Sequence, residues 1–443
     1  MAKANSFRVG KVQGYIRGTV WYLCYHELGR RHRPRIGSDR DAAKQMAAQI
    51  NGQLEVGAPA ALSFEPIGIP KLRERWLDHH EHVLRSSVHS INRYRTATDH
   101  FLRFLEARPV KHASLFSVSH AEEFVRHLRS IRVSPNGHAN TKPRPLMDKG
   151  IRYILESCRT MFNFAAKRRH LSPYAENPLT ALDIDRLPVE TMRSIVLMTP
   201  DEEARFLGAC DDWQFPVFAT LMLTGMRPGE LCHLLLPEDL DLGVGTLRIR
   251  NKPKLGWQVK TRNQREVPLL PELASLLRRN FAGRTVGPAF LRRKATADLA
   301  EKTAVQMERD IAVAVAEREE DAVSRADRLR IAKSIWNRTG AVDEDRIRIE
   351  FSRVAKSIGL VGQTAPKVLR HQFATVLQEG RVDPLVRNLL MGHAPGGERG
   401  GSGLGMTAVY THTRPETIRE QLVTAFRGRP VLAAIAERLA LMN

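Results

Sequence analysis

The spacing of apolar residues changes twice along the chain. Residues 1 to about 60 alternate between apolar and polar positions around glycine-rich turns, and Ala43, Ala47 and Ile50 then recur at helical spacing. From about Pro66 to Asn177 the apolar positions follow helical spacing in four successive stretches. The pattern predicts a small sheet with one helix, followed by a set of four helices.

The second half of the chain combines helices with one β-hairpin. Residues 179 to about 195 are interpreted as a linker, after which Thr199 and Glu202 have the spacing of a capped helix start. The runs 247–250 and 257–269 are extended stretches on either side of a polar turn, which predicts a hairpin. A further domain, of mixed α and β structure, is therefore predicted to begin near residue 195.

Two other helical stretches have open interpretations. Between about Arg292 and Ile349 the chain is charged, with Met307, Ile311 and Val315 at four-residue spacing. Our main interpretation is an extra solvated helical excursion, and the alternative is a protein-contact element. For the apolar tail beyond Val431, docking on a neighbouring protomer and packing on its own domain are equally open.

The charge balance favours a polyanionic partner. The 443 residues include 69 Lys and Arg against 48 Asp and Glu, a formal net charge of +21. Charge alone does not separate nucleic acid from an anionic membrane surface. However, no apolar run is long enough to span a membrane, and no signal peptide precedes Gly10. We therefore expect a cytoplasmic protein that acts on nucleic acid rather than on a membrane.

Neither the cysteines nor the histidines predict a metal site. The histidine cluster His79, His80 and His82 lies on a mixed polar helix face with no further ligand group nearby in sequence. The four cysteines lack the spacing of a zinc site or of a disulfide framework, which agrees with a reducing cytosol. They are Cys24, Cys158, Cys210 and Cys232.

The candidate chemistry lies between Pro366 and Thr413. Leu369, Phe373 and Leu377 share one face of a predicted helix, so Arg370 is expected to point away from that apolar stripe. His371 is its neighbour.

A second predicted helix ends just before another histidine. Asp383-Pro384 has the residues of an N-cap and a first helical position, and Gly392 is a typical C-terminal stop. His393 is therefore expected just past a helix end. Another start is predicted at Thr413–Glu416, which has capping-box spacing.

An arginine, a histidine and a tyrosine suit the cleavage of a phosphodiester by a phenol. A guanidinium grips two phosphate oxygens and offsets the charge of the transition state. A phenol with an ordinary pKa of about 10 needs cationic surroundings to attack as phenolate. Each residue alone has a structural explanation, as a solvated charge, a helix cap or a half-buried ring. The combination of Arg370, His393 and Tyr410 favours the chemistry.

These motifs closely resemble the C-terminal signature of the tyrosine recombinases, the phage integrase family of DNA strand-exchange enzymes. The matching pieces are Arg370-His371 with Phe373-Ala-Thr375, Gly392-His393, and Tyr410-Thr-His412. The resemblance implies that Tyr410 attacks the scissile phosphate of double-stranded DNA and forms a covalent 3′-phosphotyrosine. That link conserves the bond energy, so no metal or other cofactor is expected. It also implies a homotetramer on DNA and an origin in a mobile element.

The resemblance predicts a second arginine and a lysine upstream. Gly225-Met-Arg227-Pro228-Gly-Glu230 resembles the first arginine motif of the family, in which Arg227 lies at a corner between two helix ends. Glu230 matches the acidic position, where it is expected to orient an arginine. Lys260 stands where related recombinases carry the hairpin lysine that protonates the 5′-oxygen leaving group. The alternative for Lys260 is a plain contact to the DNA backbone.

Two departures from the family pattern keep other functions open. Lys367 occupies the position of the usual histidine, as in the related topoisomerase branch, and a glycine-rich stretch at 394–403 lengthens the approach to Tyr410. The first departure favours a topoisomerase IB-like DNA relaxing enzyme. The second favours a non-catalytic DNA-binding relative. The main interpretation remains a site-specific recombinase in which His393 and Lys367 assist.

The resemblance also implies the architecture, which is mainly α-helical with small β-sheets. It divides the chain into an arm-type DNA-binding module at 1–62, a helical core-binding domain at 66–180, a catalytic domain at 195–425 with an insertion at about 292–349, and a tail at 426–443. Basic residues of these parts are expected to contact DNA phosphates. They are Arg30, Arg31, Arg33, Lys167, Arg168, Arg169 and Arg262.

Overall fold

The structure is a computed structural model that describes residues 5–62, 64–134, 140–172, 175–190, 195–281, 283–295, 301–318, 323–393 and 413–441. The chain forms two compact units, Met1–Met192 and Arg193–Asn443. The fold is mainly α-helical with small sheets, as the sequence predicts. The finer boundaries near 62, 66, 180 and 425 remain predictions.

The N-terminal unit begins with a five-stranded antiparallel sheet. Its strands are β1 (Ser6–Val9), β2 (Val12–Arg17), β3 (Val20–Glu27), β4 (Arg30–His32) and β5 (Arg35–Gly37). The order is β1-β2-β3-β4, with β5 also paired to β3. Helix α1 (Arg40–Glu55) follows, and Asp39 caps it by accepting hydrogen bonds from the amides of Asp41 and Ala42. Ala47 and Ile50 of α1 share a core with Leu23 of β3, so the predicted sheet-and-helix pattern is confirmed.

The rest of this unit is a helical bundle. It consists of α2 (Ile69–Asp78), α3 (Val88–Leu105), α4 (Val118–Ser130) and α5 (Asp148–Lys167), with a wider helical turn at His79–Val83 and two short strands, β6 (Arg132–Val133) and β7 (Arg144–Pro145). Phe101 and Phe162 are buried at its centre, and Phe101 packs edge to face on Phe116, Phe124 and Phe162. Such ring pairs stabilise a core by more than the burial of their apolar area. The four predicted helices are confirmed.

The segment interpreted as a linker is not one over its first part. Leu179 is fully buried in the bundle core, and Ile184, in a short helical turn (Ile184–Arg186), is buried there too. Asn177 fixes the start of this segment, because its side-chain amide donates to the carbonyl of Arg159 on α5. The linker prediction is therefore wrong up to about residue 187, since two apolar side chains in a polar context are enough to dock the segment.

The C-terminal unit contains most of the remaining helices. In chain order they are α6 (Pro200–Gly208), α7 (Gln214–Thr224), α8 (Pro228–Cys232), α9 (Pro271–Phe281), α10 (Ala304–Ala316), α11 (Arg325–Arg338), α12 (Glu344–Ser357), α13 (Lys367–Glu379), α14 (Pro384–Met391), α15 (Pro415–Phe426) and α16 (Pro430–Leu441). Thr199 and Glu202 form the predicted capping box of α6. The box expected at Thr413 is absent from the structure, because α15 is capped at Arg414 without a side-chain hydrogen bond.

Small sheets complete this unit. Strand β10 (Thr246–Ile249) pairs antiparallel with β11 (Arg265–Pro268) and with β9 (Leu240–Asp241), while β8 (Leu235–Leu236) pairs with β12 (Gly287–Pro288). The predicted hairpin is confirmed, with the long connection 250–264 between its strands. Every residue of α7 is buried, and α13 packs against it, so these two helices form the centre of the unit.

The helical excursion is a packed pair of helices rather than a solvated one. Helices α10 and α11 contact each other and enclose Met307, Ile311 and Trp336 in a small core of their own. The next helix, α12, belongs to the main core of the unit through Ile347 and Phe351. The four-residue spacing correctly identified the buried face of α10. The interpretation as solvated is wrong, because α11 covers that face.

The tail packs on its own unit. Helix α16 contacts α6 and α9, and Val431 and Ile435 are fully buried there. The guanidinium of Arg429 pairs with the buried carboxylate of Glu203 on α6, and Arg438 pairs with Asp212. Of the two open interpretations, the structure supports packing within the chain.

Among the described residues, no helix is long and apolar enough to cross a membrane.

Candidate active site

A sharp corner between α7 and α8 places Arg227. Gly225 ends α7 with a φ of 59°, and a Cβ at this position would lie 2.1 Å from Cδ1 of Phe373, so both backbone conformation and space require glycine. Arg227 is the N-cap residue of α8, and Glu230 accepts a hydrogen bond from its amide at 2.9 Å. The Arg227 guanidinium also donates to Glu230 Oε1 at 2.8 Å. The predicted corner is confirmed.

A second arginine shares the same carboxylate. Arg265, on β11, donates from Nη2 to Glu230 Oε2 at 2.7 Å, and both side chains are only 2% exposed. Its Nε donates to the carbonyl of Leu390 at 2.8 Å. Burial alone would raise the pKa of Glu230, but hydrogen bonds from Arg265 and Arg227 outweigh it, so the pKa lies below its ordinary value. Glu230 therefore stays ionised and orients two guanidiniums.

Sequence reasoning assigned no role to Arg265. One signal was available, since Arg265 and Val267 alternate with exposed residues along β11, and this alternation turns both toward the interior. A buried arginine is rare unless it is paired. An arginine in register with a buried valine was thus a candidate for an internal ion pair.

Arg370 lies inside the protein, not on the outer face of its helix. It is 7% exposed, and its guanidinium donates to the carbonyls of Gly225 and Met391. The sequence predicts only that Arg370 faces away from the apolar stripe, and its burial was not expected. It follows because α13 is covered on more than the face of Leu369 and Phe373. Burial, together with the charge of Arg227, lowers the pKa of Arg370 to about 10, so it remains charged at neutral pH.

Helix α14 places His393 at the edge of this cluster. Asp383 caps the helix, Pro384 is its first residue, and Gly392 ends it with a φ of 62°, all as predicted. A Cβ at Gly392 would lie 2.7 Å from Nη1 of Arg265, so the helix end rests on that guanidinium. The exposed His393 follows. Partial burial and the charges of Arg370, Arg227 and Arg265 lower its pKa, which leaves the imidazole neutral at pH 7.

The hairpin connection brings Lys260 beside the same helix end. Val259 is buried in the main core, whereas Lys260 is exposed. Thr261 then donates from Oγ1 to the carbonyl of Gly392 at 3.2 Å. Lys260 therefore extends from a backbone that is fixed on both sides. In the described part of the chain, its ammonium makes no ion pair.

His371 and Lys367 lie on α13 with Arg370, in different surroundings. His371 lines a cleft of about 550 Å³ together with His393, Thr375 and Asn388. Its Nε2 is buried and has no hydrogen-bond partner among the described residues. Burial and the charges of Lys367 and Arg370 lower the pKa of His371. Lys367 is exposed at the first position of α13 and forms no ion pair within the described ranges.

Tyr410 lies outside the described residues, as does the glycine-rich stretch 394–403. The proposed nucleophile and its tether are therefore predictions from sequence. The cluster that the structure does assemble consists of two guanidiniums bonded to one carboxylate and a third, that of Arg370, close enough to interact with them electrostatically. A neutral imidazole and a lysine lie at its edge. Fixed positive charge of this kind suits a phosphate.

The residues expected to contact DNA outside this cluster have varied settings. Arg30 pairs weakly with Glu65 at 3.5 Å, Arg31 donates to Sγ of Cys24, and Arg33 is exposed. Lys167 is exposed at the end of α5. Arg168 covers the ring of Phe164 at 3.7 Å, Arg169 donates to the carbonyl of Ala60, and Arg262 is exposed with a φ of 60°. Arg169 thus has a structural contact that the sequence did not reveal.

The histidine cluster of the bundle makes packing contacts. His80 donates to or accepts from Oγ of Ser86 at 2.9 Å, and its ring contacts those of Trp76 and Tyr94. Over the ranges that the structure describes, no group of three or more His, Cys, Asp or Glu is arranged to hold a metal ion. All four cysteines are free and buried.

Comparison with known proteins identifies the class. Residues 197–416 match the model of the phage integrase family. The chain is 28% identical over 189 residues to the tyrosine recombinase XerC of Thermodesulfovibrio yellowstonii, a match that covers 43% of this chain and 46% of that relative. The chain thus spans less than half the length of this relative. Through residues 197–416 the chain belongs to the phage integrase family of tyrosine recombinases, which confirms the resemblance.

Solved structures of integrases show a distant likeness. The Tn1549 transposon integrase in complex with transposon right end DNA has a TM-score of 0.49 and 16% identity, and the match covers 84% of this chain and 100% of that one. A lambda integrase tetramer bound to a Holliday junction has a TM-score of 0.47 and 16% identity, with 91% and 97% covered. At these values the likeness adds nothing to the family assignment.

Proposed function

We propose that the chain is a site-specific DNA recombinase that cuts and rejoins DNA through a covalent 3′-phosphotyrosine. The observation that carries this proposal is the cluster in which Glu230 pairs with Arg227 and Arg265, with Arg370 near enough to interact electrostatically with all three. The cluster is buried on one side and is flanked by the exposed His393 and Lys260. Fixed guanidiniums at helix ends offer donors to a phosphate without reorganisation during the reaction.

In this proposal Arg227 and Arg370 hold the scissile phosphate, and Arg265 positions Arg227 through their shared partner Glu230. The phenolic oxygen of Tyr410 bonds to phosphorus as the bond from phosphorus to the 5′ oxygen breaks. Lys260 donates a proton to that 5′ oxygen. The phenolic proton passes to a neutral base, and the candidate is His393, whose pKa is lowered by partial burial and by the charges of all three arginines. His371 and Lys367 have supporting roles on the same helix.

The proposed partner is double-stranded DNA, and the proposed assembly is a homotetramer. Exchange between two duplexes requires four strand cuts, and each protomer supplies one tyrosine. We propose that the basic residues of the N-terminal unit, with Arg262, add phosphate contacts that strengthen binding without selecting sequence. A role in a mobile element and a cytoplasmic location belong to the same proposal. No cofactor is needed, because the phosphotyrosine keeps the energy of the broken bond.

Covalent trapping tests this function. Purified wild type and Tyr410→Phe are incubated with a pool of nicked duplexes cut from the DNA that flanks the gene, and adducts that survive detergent are separated by gel and sequenced. The nick lets the cleaved strand diffuse away, so the adduct accumulates. We expect an adduct with wild type and none with Tyr410→Phe, although the two proteins should bind the pool equally.

Two other results have defined meanings. Binding by both proteins with no adduct contradicts the catalytic proposal and leaves a DNA-binding relative. A wild-type adduct together with relaxation of supercoiled plasmids of any sequence, and no joining of two duplexes, points to the topoisomerase-like alternative. The exposed Lys367 in place of the usual histidine is the observation that keeps this alternative open.

A further inference from the structure

The connection that carries Lys260 contains a small closed loop with an apolar tip. Lys252 and Trp257 exchange two backbone hydrogen bonds of 2.9 and 3.1 Å, and Leu255 lies between them at the tip. The base of the loop is anchored, because the buried ammonium of Lys252 pairs with the buried carboxylate of Asp239 at 2.8 Å. An apolar side chain at the tip of a polar connection needs a partner surface.

That surface is supplied by the helical pair α10 and α11. Leu255 is 2% exposed and belongs to the small core of Met307, Ile311 and Trp336. Trp336 donates from Nε1 to the carbonyl of Leu255 at 3.0 Å. Gly256 fits closely against α11, since a Cβ there would lie 2.5 Å from that of Ala332. The insertion therefore holds the loop tip by its side chain, its carbonyl and its backbone.

Aromatic rings connect this contact to the arginine corner. Trp257 stacks on His233 with ring centroids 4.9 Å apart, and Trp336 packs on His233 in an edge-to-face arrangement with centroids 4.8 Å apart. His233 donates from Nδ1 to the carbonyl of Gly229 at 2.7 Å, in the helix that Arg227 opens. Burial lowers the pKa of His233 to about 4, so the ring is neutral at pH 7. Insertion, loop and corner are thus one packed network.

We propose that the helical insertion α10–α11 positions Lys260 for protonation of the leaving 5′ oxygen, with Leu255 and Trp336 as positioning residues; this rests on the proposed recombinase function. Lys260 comes three residues after Trp257 and has a long, flexible and exposed side chain. A general acid must reach its oxygen within hydrogen-bond distance, and small displacements are costly. Because the loop is held at its tip, the Lys260 ammonium can reach only a limited set of positions.

The test compares two leaving groups. A nicked duplex that carries a site mapped by covalent trapping is made once with the normal 5′ oxygen and once with sulfur in its place at the scissile phosphate. A thiolate leaves without a proton donor, because the pKa of a thiol is far below that of an alcohol. We expect Leu255→Ala to slow cleavage of the oxygen substrate by about tenfold, and Lys260→Ala by about a hundredfold or more, since general acids contribute this much. On the sulfur substrate both variants should match wild type.

A matched pair of tryptophan variants guards against loss of folding. Trp336→Phe and Trp213→Phe each remove one indole hydrogen bond to a carbonyl, that of Leu255 at 3.0 Å or that of Leu291 at 2.7 Å. Only Trp336→Phe should change the ratio of oxygen to sulfur cleavage. Hydrogen exchange on DNA-free protein should show faster exchange of the amides of Lys252 and Trp257 in Leu255→Ala.

Different outcomes would contradict the positioning role and the recombinase function. If Leu255→Ala slows both substrates alike, or neither, while Lys260→Ala is rescued by sulfur, the positioning role is wrong and the recombinase function stands. If wild type forms no adduct in the trapping experiment that maps the site, the proposed function fails and the positioning role fails with it.

Discussion

The arginines of the cluster at Glu230 and those of the N-terminal sheet carry the same charge in opposite settings. The side chain of Arg265 is 2% exposed and that of Arg30 is 74% exposed. Arg265 and Arg370 donate to a carboxylate and to carbonyls at the ends of α7 and α14. Arg30 has one weak ion pair, and Arg33 is exposed. The buried arginines are thus held in one position by their hydrogen bonds, whereas the exposed arginines offer electrostatic attraction without a fixed position.

The difference has an energetic basis. Donors fixed in a partly water-excluded site interact strongly with developing charge and need no reorganisation. An exposed guanidinium is screened by salt, and its contribution to DNA binding comes mainly from released counterions. Removing a cluster arginine should therefore change the rate of the bound complex, whereas removing a sheet arginine should change only affinity.

Arg370→Ala should have the largest effect. It removes a guanidinium that contacts the phosphate in our proposal, and it leaves the carbonyls of Gly225 and Met391 without this donor. We expect adduct formation at saturating DNA to fall by about a thousandfold, the loss typical of a fixed transition-state donor. Arg370→Lys should recover little, because an ammonium does not reproduce the planar fork. Single-turnover cleavage of the trapped site measures this.

The control for this change is Arg348→Ala. Arg348 is an exposed arginine of the same unit, paired with Asp345 at 3.2 Å. Its removal should leave the rate of the bound complex within about twofold, as expected for a surface ion pair. If Arg370→Ala and Arg348→Ala lose activity equally, the contrast between buried and exposed arginines is not functional.

Glu230→Gln should have the next largest effect, and it should lower the free energy of unfolding. The substitution removes the carboxylate from two buried guanidiniums, and we expect the free energy of unfolding to fall by on the order of 3 kcal/mol at pH 7. Because the pKa of Glu230 is lower in the folded protein than its ordinary value of 4.5, the stabilisation is present above about pH 4.5 and is lost as the pH falls further. Urea unfolding of both proteins across pH 3 to 7 measures the difference.

Glu266→Gln is the matched control. Glu266 pairs with Arg248 at 3.0 Å, but its side chain is 65% exposed. We expect a change below about 1 kcal/mol, because solvent screens such a pair. A difference between wild type and Glu230→Gln that persists unchanged at pH 3 would contradict the ionised role of Glu230.

Arg33→Gln should have the smallest effect and act on affinity alone. If Arg33 contacts a phosphate, the slope of log K against log salt concentration should decrease by about 0.9, while the cleavage rate at saturating DNA stays the same. Fluorescence anisotropy with a duplex of random sequence measures the slope. Arg186→Gln, at an 86% exposed arginine of the same unit, serves as the control. An equal change in both variants would mean that net charge matters and position does not.

Local signals in the sequence predicted much of the fold and part of the site. The capped start at Thr199, the glycine stops at Gly225 and Gly392 and the hairpin all depend on residues close in sequence, and each is confirmed. The corner that places Arg227 follows from the stop at Gly225 together with Pro228, which opens the next helix. The position of His393 after α14 follows from the stop at Gly392.

What the sequence did not reveal depends on contacts between distant elements. Arg265 bonds Glu230, 35 positions earlier, and the carbonyl of Leu390, 125 positions later. The inward direction of Arg370 depends on the burial of several faces of α13, which the apolar stripe alone does not define. Similarly, Leu255 is one apolar residue in a polar connection until α10 and α11 cover it. Tertiary packing decides each of these.

The pairing of α6 with α16 has a consequence for synthesis of the chain. Glu203 is buried in the first helix of the C-terminal unit, and its guanidinium partner Arg429 comes 226 positions later. An ionised carboxylate is costly to bury without a cationic partner, so we expect α6 to dock in its final place only after Arg429 has been synthesised. The arginine cluster depends on the same core. We therefore expect the arginine cluster to assemble only when synthesis of the chain is almost complete.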